Sequence, residues 1–154
     1  MKLIFLDIDG VMNCEDHPYP SDPEVHFGLE MSPRAIRTLR NILVENNAWI
    51  IVSSSWRIGR TVEELRNIFR HYNNVIADRI IGKTDELGRR DLEIKAFLET
   101  ITKMVLITGY VVIDDDDFDL GLVKENLVKC DRKTGLTEKY TWKIRRILNK
   151  RARS

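Results

Sequence analysis

Long apolar runs are missing from this chain of 154 residues. Its opening segment, Met1 to Asp7, holds four consecutive apolar residues, Leu3 to Leu6, before a carboxylate ends the run. That is too short for the core of a signal peptide or for a membrane span. The cytoplasm is therefore the expected location, and no membrane partner is expected. Cysteine is scarce: Cys14 and Cys130 stand alone, with no Cys-x-x-Cys pair and no histidine at ligand spacing. This pattern argues against a zinc site and against a disulfide framework. His17, His26 and His71 fall in no motif and are expected to be loop or surface residues. A Gly/Ser-rich linker, a low-complexity tract and an internal repeat are all lacking. Residues 1–154 are thus expected to fold as one domain, large enough to bury a core unaided. Net charge is only +1, but seven Lys/Arg against one Glu lie between Glu138 and Ser154, which leaves an acidic body with a basic C-terminal helix.

What the sequence does contain is an alternation of short apolar runs and helical periodicities. Residues 2–7 (KLIFLD) read as a buried strand that ends in acid. The stretch from Cys14 to Met31 is irregular and carries three prolines, and residues 14–32 read as a small flap insert. Ser32-Pro33 is a helix N-cap followed by proline at the first helical position, with Ile36, Leu39 and Leu43 at helical spacing. Ala48–Ser53 is a second strand. Thr61 and Glu64 form a capping box ahead of Val62, Leu65 and Phe69. A third strand is predicted over Val75–Ile81, and a helix from about Arg90 carries Ile94, Phe97, Leu98 and Ile101. Tyr110–Asp114 and Asn126–Cys130 are the fourth and fifth strands. Thr137 is predicted to cap a last helix whose inner face is Tyr140, Ile144, Ile147 and Leu148. Strands too apolar to have a wet face, alternating with helices, predict an α/β fold: a Rossmann-like three-layer sandwich around a central parallel sheet.

In such a sheet the functional crevice lies beyond the carboxyl ends of the strands, and the polar signals fall there. Strand one ends in Asp7-Ile8-Asp9-Gly10. Two carboxylates at i and i+2 can share a cation, and Gly10 lets the chain turn. Asp7 is placed to act as a nucleophile, and Asp9 to protonate a leaving oxygen and later activate water. An acidic turn would read the same way. Strand two ends in Ser53-Ser54-Ser55-Trp56-Arg57, whose hydroxyls and N–H groups can grip phosphate oxygens or merely cap the next helix. Strand four runs into Asp114-Asp115-Asp116-Asp117, then Phe118-Asp119. Consecutive acids repel unless a cation sits among them, and Mg²⁺ needs only a few carboxylates. A phosphoryl site also needs a positive group, which Arg89, Arg90 and Lys95 supply; Arg90 near the helix start and Lys95 compete for the role, and either alone would also read as a surface charge.

The order of these elements resembles the haloacid dehalogenase-like (HAD) superfamily of phosphohydrolases over nearly the whole chain. FLDIDGVMN, IVSSSWR, RDLEI, VVIDDDD and the late TGLT are most similar to the small HAD domains associated with RNA-repair proteins. A looser similarity extends to the phosphatase half of polynucleotide kinase-phosphatases. The resemblance implies an aspartyl-phosphate on Asp7, and Asp9 as general acid/base that also gives its backbone carbonyl to Mg²⁺. It implies Ser53 or Ser54 as phosphate ligand, and Arg90 in place of the usual lysine, with Lys95 as its rival. Asp115 would ligate Mg²⁺, helped by Asp114 directly or through water, and Asp119 matches a spacing common in the family. Arg90-Asp91 departs from small relatives, which often read Arg-Gly. The second aspartate favours phosphate esters over halides, because an alkoxide leaving group needs an acid.

With residues 14–32 as the only room for a cover, the resemblance implies a minimal cap and an open crevice. That suits a phosphorylated RNA or DNA end, or a phosphoprotein, and a partner subunit could also close it. The basic C-terminal helix offers phosphate contacts or a solvated face. Trp56 offers a stacking surface for a base, or is a core or lining residue. The expected activity is Mg²⁺-dependent hydrolysis of a phosphomonoester on a nucleic-acid end or nucleotide. The alternatives are a phosphatase of a small metabolite or phosphoprotein, and a non-catalytic phosphate-binding module.

Overall fold

Strand β1 (Lys2–Leu6) sends Leu3 and Phe5 into one apolar cluster and Ile4 and Leu6 into another, all four fully buried. A strand dry on both faces needs a layer on each side. The computed structural model describes residues 1–150 and supplies both layers. Five strands form one parallel sheet: β1, β2 (Ala48–Val52), β3 (Ile80–Lys83), β4 (Gly109–Asp114) and β5 (Leu127–Lys129), in the order β3-β2-β1-β4-β5. Leu6 pairs with Val52 on one side and Ile113 on the other, so β1, β2 and β4 end level with one another.

On one face of the sheet lie α1 (Pro33–Asn46), α2 (Val62–Arg70), α3 (Asn74–Asp78) and α5 (Thr141–Leu148), which bury Leu39, Leu43, Phe69, Ile76 and Ile144 against Ile4, Ile50 and Val111. On the other, α4 (Arg90–Ile101) buries Ile94 and packs Phe97 edge-on to Phe5, ring centroids 5.8 Å apart. Ser32 caps α1 with Pro33 at its first position, and Thr61 and Glu64 exchange both bonds of the capping box at α2. These follow the sequence reading.

Two elements differ from it. The strand predicted over Val75–Ile81 is displaced to Ile80–Lys83, because residues 74–78 form the one-turn helix α3. Asn73 caps that turn by accepting from the Ile76 N–H at 3.1 Å, and the helix buries Ile76 and Ala77. Short apolar runs do not reveal whether they are helix or strand, and a local cap decided this one. Thr137 caps only a 3-10 turn, Glu138–Tyr140, and makes no side-chain capping bond; α5 begins at Thr141.

Residues 14–32 contain no helix or strand, only a bridge between Pro20 and Leu29. They are nonetheless fastened down. His26, expected as a loop or surface residue, lies in this loop but is only 3% exposed. Its ring lies 4.4 Å from that of Trp56, and its Nε2 lies 3.0 Å from the Tyr72 hydroxyl. An aromatic partner and the hydroxyl of the half-buried Tyr72 satisfy both characters of the imidazole, which no local pattern announces. Trp56 is 7% exposed in the same cluster, so it is a core residue and offers no face for a base. No helix among the described residues is long and apolar enough to cross a membrane.

Candidate functional site

The parallel ladder delivers the site. Past Leu6, the Asp7 N–H donates to the Ile113 carbonyl at 3.0 Å, and the Ser53 N–H donates to the Leu6 carbonyl at 2.9 Å. Hydrogen bonding thus continues one residue beyond the strands and sets Asp7, Ser53 and Asp114 in a row at the carboxyl edge. All three are buried. Ligand atoms of Asp7, Asp114 and Asp115 lie within 4.8 Å of one another.

Gly10 makes the approach of Asp115 achievable. Its φ is +79°, and a Cβ there would stand 2.3 Å from Asp115 Oδ2. The loop can therefore fold under Asp115 only without a side chain. Asp9, by contrast, points outward and is exposed; it accepts from Asn13 Nδ2 at 2.9 Å, and Asn13 Oδ1 accepts from the Gly10 N–H at 3.0 Å. Its side chain is not part of the three-carboxylate cluster.

Electrostatics follow from this crowding. Burial, then the neighbouring Asp114 and the hydrogen bond shared with Asp115, push the Asp7 carboxyl up to about 9. Burial also raises Asp114, though only to about 6, because Arg90 beside it favours its charged form. Three oxygen-donor carboxylates that cannot comfortably ionise together are what a hard divalent cation relieves. The donor set fits such an ion.

Above the cluster opens a cavity of about 420 Å³, lined among others by Asp7, Asp9, Ser53, Ser54, Arg90 and Asp115. Ser53 and Ser54 are each 3% exposed, and the Ser54 hydroxyl already accepts from the Trp56 N–H at 3.3 Å. Arg90, at the start of α4, donates from Nη1 to Asp114 Oδ2, and from Nε to Asp119 Oδ1 at 3.3 Å. Burial opposes its charge, but Asp114, Asp7 and Asp119 outweigh that and hold its pKa above the usual arginine value. Asp119, at φ +52°, also receives the Arg90 N–H at 3.4 Å, so it covers the start of the helix. Asp91 does not compete for Arg90: it is fully buried, pairs with Arg89 at 2.8 Å and accepts from the Leu122 N–H. Lys95 lies exposed on α4, away from the cavity lining. Lys143, Arg145 and Arg146 stand exposed on α5, while Arg151 and Arg153 lie outside the described residues.

Sequence reasoning missed two groups here. Arg57 is 7% exposed under the cavity and donates to the carbonyls of Ser54 and Thr84, at 2.8 and 2.9 Å. It also pairs with Glu93 at 3.0 Å. Arg132 reaches the cavity from the loop after β5, with Nη2 3.4 Å from Asp115 Oδ2. Arg57 follows the serines directly and Glu93 lies one turn after Arg90, but nothing in the sequence joins them.

Six carboxylates and four guanidinium groups line the cavity. The acids outnumber the bases, an excess that a divalent cation would offset.

A family model described as the HAD domain in Swiss Army Knife RNA repair proteins matches residues 3–141. No curated protein matches the chain.

Proposed function

The chain belongs to the family of HAD domains in Swiss Army Knife RNA repair proteins, and on that premise we propose that it is a Mg²⁺-dependent phosphomonoesterase acting on a nucleic-acid end. The observation that carries the reading is the approach of Asp7, Asp114 and Asp115 within 4.8 Å, beside Ser53, Ser54 and Arg90. A nucleophile, a cation-holding set and phosphate donors thus share one cavity.

In this reading Asp7, Asp114, Asp115 and the Asp9 backbone carbonyl would hold Mg²⁺, which neutralises charge on Asp7 and on the substrate phosphate. A carboxylate oxygen of Asp7 attacks phosphorus, and the bond from phosphorus to the ester oxygen breaks. Asp9, outside the buried cluster and steadied by Asn13, gives its proton to the departing alkoxide. It then takes a proton from water, which attacks the aspartyl-phosphate, releases phosphate and restores Asp7. The Ser53 or Ser54 hydroxyl and Arg90 hold phosphate oxygens throughout. Lys95 has no part, since it does not line the cavity. The cavity lining takes no residue from 14–32, and a site without cover from that segment favours a large substrate over a small metabolite.

The test is phosphate release from 3′- and 5′-phosphorylated RNA and DNA oligonucleotides, mononucleotides, phosphopeptides and p-nitrophenyl phosphate, with Mg²⁺ or EDTA and with Asp7→Asn as control. Magnesium-dependent release strongest on an oligonucleotide end is expected. Release from small esters or phosphopeptides alone would remove the nucleic-acid role, and full activity in Asp7→Asn would remove the aspartyl-phosphate.

A further inference from the structure

We propose that Arg132 is the residue that distinguishes a nucleic-acid end from a small phosphomonoester, by binding the phosphodiester next to the terminal phosphate. The inference rests on the phosphatase reading above and adds a substrate-reading group to it.

Four arginines line the cavity, and three are already assigned, two to the protein and one to the terminal phosphate. Arg57 is buried and spent on Glu93 and two backbone carbonyls. Arg89 is fastened to the buried Asp91. Arg90, held by Asp114 and Asp119, is the group that the proposed function gives to the terminal phosphate. Arg132 differs: its side chain is 59% exposed, and its one ion-pair partner among the described residues is Asp115. Asp115 belongs to the carboxylate set that the proposed function assigns to a cation. Once Asp115 is so committed, Arg132 is left with no acidic partner at the cavity mouth.

The base of Arg132 is anchored, while its exposed head meets Asp115 alone among the acidic groups of the described residues. Its carbonyl accepts from the Glu15 N–H at 3.1 Å, and the next carbonyl, of Lys133, accepts from Asp16 at 2.9 Å. Gly135, at φ +67°, lets the loop press on the turn after β1, where a Cβ would stand 2.7 Å from the Val11 carbonyl. Leu136 then donates to that same carbonyl at 2.8 Å. The loop carrying Arg132 is thereby clamped to the segment that carries Asp7 and Asp9.

Position supplies the rest. In the sheet order, β2 with Ser53 and Ser54 lies on one side of β1, while β5, which leads into Arg132, lies beyond β4 on the other. The terminal phosphate is served by Ser53, Ser54 and Arg90. An arginine reaching in from the opposite edge meets what the ester carries, and in a nucleic acid that is a second phosphate. A planar guanidinium suits its two free oxygens. A monoester such as p-nitrophenyl phosphate has nothing to offer there.

The experiment compares kcat and KM of the full chain, Arg132→Ala and Arg132→Lys on a terminally phosphorylated dinucleotide, in 3′ and 5′ forms, and on p-nitrophenyl phosphate. Mg²⁺ and salt are varied. For Arg132→Ala, kcat/KM on the dinucleotide should fall about tenfold relative to p-nitrophenyl phosphate, through KM. The fall of kcat/KM on the dinucleotide with rising salt should become shallower, because one screened charge contact is lost. Arg132→Lys should recover part of both effects. An equal loss on both substrates, or a raised Mg²⁺ requirement shared by both, would show that Arg132 only steadies Asp115 and would overturn the proposal. No turnover of either substrate by the unaltered chain would instead refute the phosphatase reading, and this inference with it.

Discussion

Arg57 and Glu93 meet 3.0 Å apart beneath the cavity, their side chains 8% and 5% exposed. Glu93 also accepts from the Leu87 N–H at 2.8 Å, and Arg57 reaches the carbonyls after β2 and β3. One buried pair therefore ties α4 to the loops that follow two strands.

Removing one partner should be costly. Glu93→Leu leaves a buried guanidinium without its counter-charge, with an expected loss of about 3–5 kcal/mol in urea denaturation. Arg57→Met combined with Glu93→Leu should recover much of that, because the desolvated charge goes with its partner. A double variant no more stable than Glu93→Leu alone would contradict this account.

Asp7→Asn should abolish phosphate release and at the same time stabilise the metal-free fold. The Asp7 carboxyl is pushed up to about 9 in the folded chain, against an ordinary 3.8. A raised folded value means the folded state holds the proton more tightly. Its stabilising contribution is whole below about 3.8 and is lost as pH rises through about 9. In EDTA, melting temperature should decline across that window, less so for Asp7→Asn and less so with Mg²⁺. Each kcal/mol is worth about 2–4 °C in a chain of this size. Parallel melting curves for both proteins across the window would contradict this.

Gly10→Ala should damage cation binding before it damages the fold. The new Cβ would displace Asp115 Oδ2, and the φ of +79° adds strain of about 1–2 kcal/mol. The Mg²⁺ concentration for half-maximal activity should rise about 10–100-fold, the usual effect of disturbing a ligand's support. Titration of activity with Mg²⁺ is the measurement, and an unchanged midpoint would exclude the contact.

Acid should loosen residues 14–32. Burial, reinforced by Arg60 and His71 and opposed by the Phe27 carbonyl and Asp9, holds His26 below its ordinary 6.5. The folded state therefore disfavours the charged ring. Stability from this group is whole above 6.5 and falls as pH drops through the folded value. Proteolytic cleavage within 14–32 should accelerate on acidification, while His26→Ala should be cleaved fast at every pH. Cleavage that ignores pH in the unaltered chain would contradict the latch.

Much of this was legible because short-range rules wrote it. The Ser32-Pro33 start, the Thr61–Glu64 box and the doubly apolar strands each follow from a few adjacent residues. So did the convergence of Asp7, the serines and the Asp114-Asp115 pair, since parallel strands must end on one edge. The third strand slipped because Val75 to Ile81 suits either element, and Asn73 settled the choice with one capping bond. Arg57 and Glu93 stayed hidden because 36 residues separate them and only packing joins them. His26 stayed hidden because its burial depends on Trp56 and Tyr72, contributed by other parts of the chain. Arg132 shows up only once the loop after β5 is seen leaning on the turn after β1.

The spacing of Asp7 and Asp114 is a property of the backbone ladder, with Leu6 opposite Ile113 and Asp7 bonded just past it. Side-chain repacking in the core leaves that spacing intact, whereas a one-residue insertion or deletion inside β1 or β4 would turn a carboxylate to the wrong face. The exposed stretch Asp22–Glu24 carries no such metric. Tolerance to length change should therefore be sharply divided along the chain: near zero in two central strands and generous in that stretch. A longer segment could be grafted there without re-aiming a single carboxylate.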